Sequence, residues 1–412
     1  MTQATPTARR YAAWLADQPD SAINRAVANA ATLGLVQDII SFGGGQPASE
    51  LYPLEALQRA FSRAILEDGP SCLPYGPSEG LPALRQLIAE RLGRRGIHVG
   101  PENILVTTGS MQALHLVGRV FLDHGDTIIT EAPTFMGALG TWEHQQPRYL
   151  SVPVDEHGLV VEALEEAIVR APRRSSIKFA YILPTFQNPS GVSLSPDRRQ
   201  DLIELAARHE LVLVEDDPYG EFWFDEGKGP VPPLRSLAGA EEHVIYVGTF
   251  SKILAPGIRL AYIVASPELI ARLARAKRGV DFHTDGLVQQ GVVRLCRDGD
   301  FDLEAHVVAG RAAYKARRDA MLDALETVFP SDVTWTRPEG GFFLWLELPR
   351  GTRALDVVRA AQSAGVSVFG GPIFYPNGGG DNAIRLSYSN VTPERISEGI
   401  RRLARAVSAV AG

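Results

Sequence analysis

From about residue 100 the chain alternates short apolar, β-branched runs with longer amphipathic stretches. The runs NILVTTG (103–109), DTIITEAP (126–133), IKFAYILPTFQNPSG (177–191), LVLVEDDPYG (211–220), HVIYVGTFSK (243–252) and RLAYIVAS (259–266) carry almost no polar alternation before their ends. This pattern predicts strands buried on both faces. Between them the spacing of apolar positions predicts helices over 111–121, 159–170 and 196–209, the last with Ser195 as N-cap before a proline at the first helical position. Strand–helix–strand repetition predicts an α/β chain with a mainly parallel sheet covered by helices. After about residue 290 the pattern changes: a long charged helix around 305–325 leads through TWTRPEGGFFLWLELP into a short mixed α/β region and a final helix. This part is expected to form a second, smaller domain. The first 40 residues contain one weak helical pattern near 21–33 before the apolar IISF, and are expected to pack with the C-terminal part. No internal repeat is visible, which excludes a solenoid.

Composition narrows the class. A length of 412 residues gives an expectation of two or three domains at roughly 150 residues each. The 45% hydrophobic and 22% charged content is that of an ordinary globular protein. The net charge of -7 comes without any block of like charges, which argues against a nucleic-acid surface. No apolar stretch approaches the 18 or so residues of a membrane span, and the N-terminus lacks a signal-peptide core, so a cytoplasmic protein without membrane attachment is expected. The two cysteines, Cys72 and Cys296, supply neither a disulfide framework nor a C-x-x-C pair, and the nine histidines form no H-E-x-x-H. No metal site is expected. The 39 glycines and 28 prolines exceed average usage without forming linkers, and require a place.

In doubly wound α/β proteins ligands sit beyond the carboxyl ends of strands. Those ends are polar here. Gly109-Ser110-Met111 follows one strand at a helix start, where free backbone N–H groups and the dipole favour an anion, although a simple cap has the same sequence. Asp216-Asp217 ends a run so apolar that the carboxylates must reach solvent, cap a turn, or hold a cation or protonated base. Thr249, Ser251, Lys252 and Arg259 put two hydroxyls and two cations into one short region; a lone lysine on a turn is usually a solvated one. Their coincidence at strand ends of one sheet suits pyridoxal phosphate, which needs a lysine, a carboxylate for its pyridine nitrogen, and a phosphate cradle.

The motifs SFGGGQP, LPYGPSEGLPALR, VTTGSMQAL, EAPTFMGAL, PTFQNPSG, VEDDPYGE, GTFSKILAPGIRLAY, RPEGGFFLWLELP and IRLSYSN occur in this order from about Ile40 to the C-terminus. In them the chain resembles the fold-type I pyridoxal-phosphate-dependent aminotransferases, within the group that includes 2-aminoadipate (LysN-like) and kynurenine/2-aminoadipate aminotransferases. The resemblance implies a large domain with a mainly parallel seven-stranded sheet over residues 45–295, and a smaller α/β domain from 1–44 with 296–412. It implies a homodimer with shared active sites, and transfer of an amino group from an L-amino acid, whether 2-aminoadipate, aromatic or branched aliphatic, to 2-oxoglutarate by a ping-pong cycle.

Residue by residue, the resemblance makes Lys252 the Schiff-base lysine and proton carrier, and Asp216 the partner of the pyridine nitrogen. Asp216 is preferred to Asp217 because the family's aspartate stands three residues before its tyrosine, here Tyr219. Tyr219 and Asn188 match the pair that bonds the cofactor's phenolic oxygen; Ser110, the backbone at Met111, Thr249, Ser251 and Arg259 match the phosphate cradle. Phe135 stands where an aromatic ring stacks on the pyridine, more often Tyr or Trp. Tyr75 matches the tyrosine that reaches the neighbouring subunit's phosphate. Arg385 matches the arginine that grips the substrate α-carboxylate, a bidentate task suited to a planar guanidinium, with Asn188 and the backbone at Gly45 assisting. Arg25 is the candidate for a distal carboxylate. A non-transaminating reaction on the same fold is the alternative. A regulator fused to a winged DNA-binding domain is disfavoured by the roughly 40 residues that precede the core.

Overall fold

A computed structural model describes residues 38–171 and 176–411. The predicted helix near 21–33 and Arg25 lie outside them.

The strands in chain order are β1 (Ile40–Ser41), β2 (Ile104–Thr107), β3 (Thr127–Ala132), β4 (Arg148–Asp155), β5 (Gly158–Leu159), β6 (Ile177–Ile182), β7 (Leu213–Asp216), β8 (Val244–Thr249), β9 (Ala261–Val264), β10 (Thr334–Trp335), β11 (Phe343–Glu347), β12 (Val366–Ser367), β13 (Phe369–Gly370) and β14 (Ala383–Ser387). The helices are α1 (Leu54–Cys72), α2 (Pro82–Gly93), α3 (Ser110–Phe121), α4 (Met136–Thr141), α5 (Val161–Arg170), α6 (Pro196–His209), α7 (Pro267–Arg278), α8 (Gly286–Arg297), α9 (Leu303–Val328), α10 (Ala354–Ser363) and α11 (Pro393–Ala411).

The larger sheet has the order β2-β9-β8-β7-β6-β3-β4-β5. The expected seven strands are present, and an eighth is added: β5 is a two-residue antiparallel return of β4, pairing Val154 with Leu159. It takes Leu159 out of the helix expected over 159–170, and α5 starts at Val161. Strand β4 escapes the apolar-run criterion because it lies near the sheet edge and is largely exposed or half-buried. Strand β9 is antiparallel to both neighbours, β2 and β8, whereas β8, β7, β6, β3 and β4 run parallel.

The apolar runs are buried on both faces as their composition requires. On one face Leu105, Ile128, Phe179, Val214 and Ile245 pack with Leu114 and Val117 of α3 and Leu273 of α7. On the other Ile129, Ala180, Leu213 and Val244 pack with Leu164 of α5 and Leu202 and Leu205 of α6. Ser195 occupies the N-cap of α6 with Pro196 following, but its hydroxyl makes no capping bond. The long helix α9 outruns its expected bounds at both ends; Asp302 caps it by accepting from the backbone N–H groups of Glu304 and Ala305.

A second, antiparallel sheet has the order β10-β11-β14-β13. Near the start of the described chain, β1 pairs in parallel with β12, Ile40 against Val366 and Ser41 against Ser367, so residues 40–41 pair with the C-terminal part. No helix among the described residues is long and apolar enough to cross a membrane.

Candidate active site

The site grows from one edge of the larger sheet. Strands β2, β6, β7 and β8 end there, and β9, running the other way, begins there. Thr107 and Thr249 both register against Ala261. Arg259, two residues before Ala261, therefore arrives beside the carboxyl ends of its neighbours. Its guanidinium lies against the entrance of α3: a Cβ built on Gly109 would stand 2.1 Å from Arg259 Nη2, and Gly109 has φ +81°. Glycine meets both demands, close approach and positive φ. Ser110 and Met111 follow as the first residues of α3, whose leading N–H groups have no intrahelical acceptor.

Gly45, Ser110, Met111, Phe135, Asn188, Asp216, Tyr219, Thr249, Ser251, Lys252, Arg259 and Arg385 all line one cleft of about 960 Å³. The sequence spreads them from residue 45 to residue 385; the fold brings them together. Tyr75 is the exception. It is 87% exposed, and its ring lies edge-on to Phe282 at 5.5 Å and His283 at 5.8 Å rather than in the cleft.

Geometry separates the two adjacent aspartates. Asp217 is buried and fully engaged, accepting from Arg95 Nη2 at 2.7 Å, Tyr246 Oη at 3.0 Å and Gly220 N at 2.9 Å. Asp216 faces the cleft and accepts from Tyr181 Oη at 2.7 Å. Burial raises its carboxyl to about 6; the Asp217 charge adds to this, and the Tyr181 bond and Lys252 oppose it. A buried carboxylate with a cleft beside it is suited to a cationic ring nitrogen.

Lys252 Nζ donates to Gly45 O at 2.8 Å. Its pKa falls to about 8, first through desolvation, then through the positive charge of Arg385 and of Arg259, with Asp216 pulling the other way. A lysine so placed loses its proton near neutrality far more readily than a surface one.

Arg385, in the middle of β14, donates through Nη1 to Asn188 Oδ1 at 2.8 Å and through Nη2 to Gly43 O. Its guanidinium carbon lies 4.3 Å from the Phe343 ring centre and 5.0 Å from those of Phe369 and Phe374. Desolvation in this aromatic enclosure lowers its pKa to about 10. Its Nε is buried with no hydrogen-bond partner. A buried cationic N–H that faces the cleft without an acceptor is suited to a carboxylate. Asn188 also hydrogen-bonds Tyr219, whose hydroxyl burial pushes up, so one amide ties the arginine to the tyrosine.

A family model for aminotransferase class I and II matches residues 37–403. This chain belongs to the class I and II aminotransferases. It is 43% identical to the 2-aminoadipate transaminase of Thermus thermophilus over 371 residues, 90% of each chain. It is 39% identical to aromatic-amino-acid aminotransferase 1 of Thermococcus litoralis, over 90% of this chain and 88% of that one. Among solved structures it resembles LysN, the α-aminoadipate aminotransferase of Thermus thermophilus complexed with N-(5′-phosphopyridoxyl)-L-leucine, with TM-score 0.85 and 41% identity over 94% and 97% of the two chains. It also resembles the kynurenine aminotransferase of Pyrococcus horikoshii in complex with PMP, kynurenine and its product, with TM-score 0.89 and 37% identity over 97% of each.

Several features of this aminotransferase's cleft have no counterpart in the motif reading. The phenyl enclosure of Arg385 comes from RPEGGFF and from Phe369 and Phe374, which read in sequence as plain core. Gly43 supplies a carbonyl to Arg385, and the carbonyl of Gly45, whose backbone is expected to assist with the substrate carboxylate, accepts from Lys252. Arg395 also lines the cleft, paired with Asp38 at 3.1 Å. Among the described residues no His, Cys, Asp and Glu group is arranged to hold a metal ion.

Proposed function

We propose that the cleft binds pyridoxal 5′-phosphate and moves the amino group of an L-amino acid to a 2-oxo acid in two half-reactions, with 2-oxoglutarate as the acceptor. The observation that carries this is the convergence of Lys252, Asp216 and the unsatisfied Arg385 Nε on one cleft. The residues fit the cofactor. Ser110, Met111, Thr249, Ser251 and Arg259 form an anion-binding end, Asp216 faces the position of a ring nitrogen, and Phe135 offers a flat apolar surface. Bound there, the cofactor supplies an aldehyde for amino groups and a protonated ring that accepts electron density.

The protein's own groups do the rest. Lys252 provides the amine that anchors the cofactor and afterwards carries a proton between carbon atoms. Asp216 stays ionised beside a cation and keeps the ring nitrogen protonated. Arg385 takes the substrate α-carboxylate, with Asn188 fixing the orientation of its guanidinium. Tyr219 and Asn188 serve the phenolic oxygen. Tyr75, exposed on its own chain, reaches the phosphate of a second subunit in a homodimer. Residues 45–295 act as the cofactor-bearing domain, and 1–44 with 296–412 as the smaller one. The likeness to the Thermus and Thermococcus enzymes supports donors in the 2-aminoadipate, aromatic and branched aliphatic range; Arg25 is kept as the proposed contact for a distal carboxylate.

A panel of donors including aminoadipate, glutamate, leucine, phenylalanine, tyrosine and kynurenine, incubated with 2-oxoglutarate and scored for glutamate or for consumed oxo acid, tests the proposal. Aminoadipate and aromatic donors are expected to react. If no donor transfers nitrogen while the visible spectrum of the holoenzyme still responds to amino acids, transamination is overturned.

A further inference from the structure

Behind the anion-binding end of the cleft lies a polar hub that the reaction does not use. Lys277, at the end of α7, has a fully buried side chain and donates to Asp281 Oδ1 at 2.5 Å. The other oxygen of Asp281 accepts from Gln112 Nε2 at 2.6 Å and from Thr108 Oγ1 at 3.1 Å. Gln112 completes the circuit by accepting from the Thr108 backbone N–H at 2.8 Å. Thr108 and Gln112 stand on either side of the Gly109 turn, and between them lie Ser110 and Met111.

A buried ammonium is costly unless paired, and an apolar pair of the same volume fills such a space at least as stably. What the charged pair adds is direction. It creates a fixed anionic point on which one residue before the turn and one residue after it converge.

We propose that Asp281 is a positioning residue for the cofactor phosphate: through Thr108 and Gln112 it fixes the orientation of the Ser110 and Met111 donors. The proposal rests on those two residues receiving the phosphate. The same loop faces outward at its next position. Phe282, held at φ +66°, meets Tyr75 edge-on at 5.5 Å. One loop thus braces the phosphate donors of its own chain and the tyrosine assigned to the phosphate of a second one.

The test is a titration of cofactor-free protein with pyridoxal 5′-phosphate and, separately, with pyridoxal, which lacks the phosphate. Asp281→Asn leaves Lys277 buried without a full partner and risks misfolding. Gln112→Leu, which keeps the ion pair, and the double variant Lys277→Met/Asp281→Leu, which removes both charges, avoid that risk. Both are expected to weaken pyridoxal 5′-phosphate binding roughly tenfold, as the loss of oriented hydrogen bonds to an anion does, with pyridoxal binding and the melting temperature of the cofactor-free protein unchanged. Unchanged phosphate-ester binding in both variants, or an equal loss for both aldehydes, overturns the role of Asp281. Ser110→Ala and Arg259→Met separate the two levels: if neither weakens pyridoxal 5′-phosphate binding, the assignment of the cradle itself is what fails.

Discussion

Lys252 sits among charges that pull its proton in opposite directions. Burial and the cations of Arg385 and Arg259 favour the neutral amine, and Asp216 favours the ammonium. Cofactor uptake by the cofactor-free enzyme, which needs the neutral amine, should therefore rise with pH around a midpoint near 8. Asp216→Asn removes the charge that retains the proton, so its midpoint should move down; Arg385→Leu removes a repelling cation, so its midpoint should move up. Stopped-flow absorbance across a pH series reads both shifts, and parallel movement of the two variants contradicts the electrostatic account. Lys252→Ala should take up no cofactor covalently: borohydride followed by mass spectrometry should find no label at another lysine. Asp216→Asn should keep part of its cofactor and lose most turnover, by ~10²-fold or more if placement of the ring proton contributes as general acid–base groups do. Asp217→Asn should act differently. It leaves Arg95 buried opposite a neutral amide and should cost stability, about 3–5 kcal/mol by chemical denaturation, before it touches chemistry.

Glu131 makes a separate claim at this scale. It is buried at the end of β3, accepts from Leu183 N at 2.9 Å, and is raised by desolvation to about 8. A carboxyl with a raised folded pKa contributes stability that is complete below its unfolded value near 4.5 and is lost as pH climbs through about 8. Glu131→Gln should therefore flatten the fall in melting temperature between roughly pH 5 and 8. A steeper fall in the variant is inconsistent with a protonated Glu131 at low pH.

Among the elements, β9 and the turn before α3 matter most. Because β9 runs against its neighbours, a residue that precedes a strand joins residues that follow strands. Gly109→Ala places a methyl group 2.1 Å from Arg259 Nη2 at φ +81°. It should weaken cofactor affinity much more than it lowers the melting temperature of the cofactor-free protein. Legibility in the sequence follows the same physics. The buried strands are visible because both faces are apolar, and their ends are visible because polar residues break the runs: Thr249, Asp216 and Ser110 declare themselves. Strand β4, beside the edge, does not, since its exposed positions leave no continuous run. Asp216 and Asp217 are separated in the sequence only by the motif spacing to Tyr219; the partners Arg95 and Tyr246, which engage Asp217, supply the physical reason. Arg385 is legible through its motif, but Phe369 and Phe374 around it are ordinary apolar letters until the chain closes. The glycine and proline surplus finds part of its place here, at Gly45 against the Phe343 ring and Gly109 against Arg259.

At the scale of the molecule, the exposure of Tyr75 together with Leu66 at 82% and Leu73 at 63% accords with a second subunit covering this end of α1. Sedimentation should return a dimer, and Tyr75→Phe should weaken cofactor binding in it while leaving its mass unchanged. Cofactor at about 100 times its dissociation constant should stabilise the fold by roughly 2.7 kcal/mol. A further consequence follows from the strip Gly43–Gly45. Arg385 holds it by the Gly43 carbonyl and Lys252 holds it by the Gly45 carbonyl, and both of these cations are needed elsewhere once reactants arrive. Loading the enzyme withdraws the Lys252 tether, while an incoming carboxylate competes for Arg385. The strip connects to β1 and, through Phe42, to β12 and β14. Its backbone mobility, read by nuclear relaxation at Gly43–Gly45, should therefore rise as the site fills, the reverse of the ordering a ligand usually brings.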